Sequence, residues 1–75
     1  MPTGTLRKRS LDLAGHRTSV ALEPAFWAVL EAEAERRGLS LAGLLAEVDA
    51  ERAEAGIPLA SALRLHALAV ALGSR

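Results

Sequence analysis

The sequence predicts a mainly α fold opened by a short N-terminal β ribbon, and three observations carry that expectation. Thr18, Val20 and Leu22 alternate with Arg17, Ser19 and Ala21, the period-two pattern of a strand with one face on a core. Two stretches of helical period follow and meet at Arg37-Gly38-Leu39-Ser40. The whole chain is 75 residues without cysteine, near the lower limit at which one chain buries enough apolar surface to offset its ordering entropy. A lone short strand leaves its edges unpaired, and pairing it with the same strand of a second chain would satisfy them and enlarge the core. The pattern therefore predicts a homodimer.

Residues 1–9 read as a flexible basic arm, because Met1 to Thr5 carries Pro2 and Gly4 without periodicity and runs into Leu6-Arg7-Lys8-Arg9. Residues 10–56 form the predicted core of the fold. Ser10-Leu11-Asp12-Leu13 alternates and is a candidate first strand, with Ala14-Gly15-His16 as turn or bulge before the strand ending at Leu22. Glu23-Pro24 opens the first helix: proline suits the first helical position, and the carboxylate favours the positive end of the helix dipole. Phe26, Trp27, Leu30 and Ala34 recur at helical spacing, while Glu31, Glu35 and Arg36 face water. The acids from Glu31 to Glu35 read as a solvated face rather than paired catalytic carboxylates.

Gly38 suits the left-handed residue that closes a helix, and Ser40 is placed to cap the next one. There Leu41, Leu44, Leu45 and Val48 make one apolar stripe, read as a partner face. Val20, Leu22, Trp27, Leu30, Leu44, Leu45 and Val48 are the candidate dimer core. The second helix ends near Gly56, and Ile57-Pro58 turns the chain into residues 57–75, a C-terminal helix over roughly Leu59 to Leu72 with Ser61 as candidate cap. Its Leu63, Leu65, Leu68, Val70 and Leu72 are apolar on most sides, which predicts packing on the dimer.

Formal charge is zero, but the charges are sorted. Arg7, Lys8, Arg9 and Arg17 stand against Asp12 up to Leu22; between Glu23 and Gly56, eight acids stand against Arg36, Arg37 and Arg52. A basic strand end and an acidic helical body let one face approach a phosphate backbone. Absence of cysteine fits a reducing cytosol, and no run approaches the ~20 apolar residues that span a bilayer. A zinc site would rest on His16, His66 and carboxylates, which lack ligand spacing. His16 reads as a turn residue and His66 as a packed one. An enzyme needs a pocket holding a nucleophile and a base, and two dispersed histidines without cysteine or tyrosine do not supply one. Neither metal nor cofactor is expected.

Lys8-Arg9-Ser10, Gly15-His16-Arg17-Thr18-Ser19-Val20, Leu22-Glu23-Pro24 with Phe26-Trp27, and Arg37-Gly38-Leu39-Ser40-Leu41, in that order, resemble the ribbon-helix-helix DNA-binding family, and within it a proteobacterial subfamily of small proteins. The resemblance spans about residues 8–70. It implies an intertwined homodimer in which two copies of the strand pair antiparallel and enter the major groove, with Arg17, Ser19 and Ala21 toward base edges. Arginine there can fork onto a guanine, serine can donate or accept one bond, and alanine can touch a thymine methyl. Ala21 departs from the polar residue often found at that place in the family, which implies modest specificity per dimer and tandem dimers on DNA. By the same likeness, the amides of Ser40, Leu41 and Ala42 would hold a phosphate, and Arg7, Lys8 and Arg9 would add attraction independent of sequence.

The function expected is that of a cytoplasmic, nucleoid-associated transcriptional repressor of bacterial or phage type. The rival is a protein-interaction module, an antitoxin or adaptor, whose ribbon only dimerises and whose apolar C-terminal helix docks a protein partner. The rivals differ in whether Arg17 matters.

Overall fold

Ala14 and Gly15 close the first two strands into a hairpin. In the computed structural model, which describes residues 5–73, β1 (Arg7–Leu13) pairs antiparallel with β2 (His16–Leu22), from Arg7 opposite Leu22 to Leu13 opposite His16. Both turn residues have positive φ, 51° at Ala14 and 90° at Gly15, as a two-residue type I′ turn demands. Glycine adopts this freely and alanine does not. Ala14→Asn, which suits a left-handed turn, is accordingly expected to raise stability by up to about 1 kcal/mol, and Ala14→Val to lower it; urea midpoints check both.

Three helices follow: α1 (Pro24–Arg37), α2 (Leu41–Ala55) and α3 (Leu59–Ala71). Pro24 opens α1 as its sequence promises. Gly38 ends it at φ 71°, where the Gly38 amide donates to the Glu35 carbonyl and the Leu39 amide to the Ala34 carbonyl, the paired bonds of a Schellman stop. Ser40 then caps α2, its hydroxyl oxygen accepting the Gly43 amide at 3.0 Å. Three residues, Gly38 to Ser40, therefore suffice to turn the chain between helices.

The core lies where one face of the hairpin meets all three helices. Its largest fully buried side chains are Leu13, Leu22, Trp27, Leu30, Leu44, Leu45 and Leu63. Trp27 satisfies its indole by donating to the Arg7 carbonyl at 2.8 Å, and the Arg9 guanidinium lies 4.8 Å from the ring centroid. That tie fastens the start of β1 to α1. Arg64 of α3 donates to Glu23 at 2.9 Å, fixing the third helix to the joint between β2 and α1.

Two expectations change, the start of the first strand and the cap of the third helix. The first strand begins at Arg7 rather than Ser10, so residues 7–9 are ribbon and not arm, while Met1 to Gly4 lie outside the described residues. The two strands of the hairpin pair within one chain, because a two-residue turn brings them together at small entropic cost. Val20, Leu22, Trp27, Leu30, Leu44, Leu45 and Val48, the candidate dimer core, are each at most 5% exposed within the chain. Helix α3 packs within the chain through Ala62, Leu63 and Ala67 and leaves Leu65, Leu68 and Leu72 exposed on it. Its N-cap is Pro58, so Ser61 lies within the helix and does not cap it.

Candidate nucleic-acid interface

Strand alternation divides the hairpin into two faces. Leu11, Leu13, Thr18, Val20 and Leu22 point to the helices, and the opposite face carries three cross-strand pairs: Lys8 with Ala21, Ser10 with Ser19, and Asp12 with Arg17. All but the half-buried Ala21 are exposed. The Ser10 and Ser19 hydroxyls share a hydrogen bond of 2.9 Å, and Arg17 Nη1 donates to Asp12 Oδ1 at 3.2 Å. The outward face is thus polar and carries its three charges at opposite ends, Lys8 at one and the Asp12–Arg17 pair at the turn end.

Of the residues expected to meet DNA, the structure brings Arg17, Ser19, Ala21 and Lys8 onto this one face. Arg7 and Arg9 are in register with the inward residues instead. Arg9 stacks on Trp27 and pairs with Glu31 of α1, so its charge is engaged by the body of the domain. Ser40 is exposed at the start of α2, followed by half-buried Leu41 and Ala42. Because the Ser40 hydroxyl already accepts the Gly43 amide, the anion-binding capacity there rests on the backbone amides before it in the first turn.

Sequence reasoning passed over Asp12 and Ser10 as members of the face. Their signal was the Ala14-Gly15 turn, since a two-residue loop fixes the register and with it every cross-strand pair. It also placed the acids of α1 in water, whereas Glu33 is only 5% exposed and accepts Arg36 Nε and Nη2 at 3.0 and 2.9 Å. His66 is half-buried, with its Nε2 atom enclosed and unpartnered, in a groove of about 300 Å³ between the ends of α2 and α3.

The acidic body is held together by arginines. Hydrogen bonds from Arg36 to Glu33, from Arg37 to Glu47 and from Arg64 to Glu23 hold those three carboxyls below the ordinary value of 4.5, against the opposing effect of burial. A carboxyl with a lowered folded pKa stabilises the fold above its unfolded value, and that stability is lost as pH falls through the folded one. The midpoint temperature is expected to hold between about pH 7 and 5 and to drop as pH falls below about 4.5, less steeply in Glu33→Gln. A flat profile to pH 3 would contradict it.

A sequence model for a family described as a ribbon-helix-helix domain matches residues 6–71, the whole of the ribbon and all three helices. The chain belongs to the ribbon-helix-helix family. Comparison with curated proteins and with solved structures finds no match. Ribbon-helix-helix domains are DNA-binding and regulatory, antitoxins among them, and their fold is not an enzymatic one. No described helix is long and apolar enough to cross a membrane, and among the described residues no group of three or more His, Asp or Glu is placed to hold a metal.

Proposed function

We propose that this ribbon-helix-helix protein is a homodimeric, sequence-specific DNA-binding protein acting as a transcriptional repressor. The observation that carries the reading is the outward hairpin face: an exposed, polar, two-stranded surface of the kind a major groove admits, with an arginine on it and no structural burden. The edge of β2 away from β1 has no partner strand among the described residues. Pairing two such edges brings Arg17, Ser19 and Ala21 of both chains to the centre of a continuous surface, with Lys8 toward the flanking phosphates. The amides of Leu41 and Ala42, backed by the α2 dipole, hold the backbone and set register. Tandem dimers add the specificity that a small contact set lacks.

A second reading is favoured by α3, whose Leu65, Leu68 and Leu72 are 60%, 50% and 73% exposed. Three large apolar side chains on one helix suit a protein partner, as in an antitoxin or adaptor. Selection of fragments from a random duplex pool by the purified protein separates the two. Enrichment of a short repeated motif supports DNA reading; no enrichment at low salt from a folded dimer favours the protein partner.

A further inference from the structure

We propose that Asp12 sets the specificity of the reading face, holding the Arg17 guanidinium toward a guanine edge while weakening attachment to DNA in general. The inference rests on the reading of this face as the DNA-binding one.

Asp12 lies directly across the ribbon from Arg17, and the 3.2 Å bond joins Nη1 to Oδ1. Their side chains are 72% and 68% exposed, so the pair covers no core and contributes little to folding. The carboxylate engages one of the five guanidinium N–H groups, and a guanine edge needs two more. The same contact that leaves the fork available also restricts the rotamers of a long, freely turning side chain. Less ordering then remains to be done when the base is met.

Charge supplies the second half of the argument. Lys8 lies opposite Ala21 and has no acid across from it, and the Ser10–Ser19 pair is neutral. Asp12 is therefore the sole acid among the six residues of this face. A carboxylate beside phosphates repels them at every sequence, and only where Arg17 makes its base contact is the repulsion offset. Discrimination arises from a penalty on the wrong site as well as a gain at the right one.

The test compares wild type, Asp12→Ala and Arg17→Ala on the duplex enriched by the wild-type protein and on a random duplex of equal length, across a salt series. Far-UV circular dichroism confirms that each variant is folded. Asp12→Ala is expected to bind the random duplex several-fold tighter and with a steeper salt dependence, while binding to the enriched duplex does not tighten, so that the preference between them falls about tenfold. Tightening of both duplexes by the same factor would mean that Asp12 acts only as a charge, and no change on either would make it a bystander. Each result overturns the proposal, yet a preference that still depends on Arg17 leaves the DNA-reading function standing. If the wild type enriches nothing and Arg17→Ala changes nothing, the function itself fails and the role of Asp12 with it.

Discussion

Arg17→Ala is expected to abolish preference for the enriched sequence while leaving helix content, thermal midpoint and oligomeric state unchanged. Arg17 is exposed, its one side-chain partner is the equally exposed Asp12, and neither touches the core, so truncation creates no cavity and strands no buried group. What is lost is a planar fork of donors suited to a guanine. Each such contact discriminates by about tenfold to a hundredfold, and a dimer makes it twice. Binding to random DNA should fall far less, because that depends on summed charge and on the α2 amides. Fluorescence anisotropy on both duplexes reads the ratio directly. Equal loss on both would reduce Arg17 to one phosphate contact among several.

The elements that sequence made legible are those with local signals. Pro24, Gly38 and Ser40 each act within one helical turn, and the structure has all three doing what their chemistry favours. The hairpin was harder to read because its turn is Ala-Gly rather than Asn-Gly, and because Arg7-Lys8-Arg9 hides alternation behind three like charges. Arg9 counts as an inward residue only once Trp27 is known to lie beneath it and Glu31 beside it, a tertiary fact absent from the strand itself.

Composition does not tell which side of α3 packs within the chain. Leucine lies on most of its sides, and small Ala62 and Ala67 let the backbone approach its neighbours with Leu63 between them, which leaves Leu65, Leu68 and Leu72 outside the chain's own core. Sequence places Glu33 in water, and the structure buries it. A carboxylate can be nearly fully buried when an arginine three residues on forks onto both its oxygens, and that pairing is invisible to a scale that ranks residues singly.

The largest effect on stability is expected at Trp27. Trp27→Ala removes a side chain that is 2% exposed between α1 and the hairpin, and substitutions of this kind cost about 3–5 kcal/mol. For a 75-residue domain, whose total stability is about 4–11 kcal/mol, that is a large share of the whole. Two further interactions disappear with it: the bond to the Arg7 carbonyl and the stacking of Arg9. Trp27→Phe separates them from volume, since phenylalanine retains most of the packing and a ring face for Arg9 but cannot donate. The phenylalanine variant is expected to lose roughly 1–2 kcal/mol, with amide exchange rising at the start of β1, where the lost bond was made. The alanine variant should unfold at a much lower urea concentration, followed by circular dichroism because it removes the only tryptophan. A loss below about 1 kcal/mol in Trp27→Ala would mean that the hairpin is not fastened to α1 through this ring, and the core would have to be centred on α2 and α3 instead.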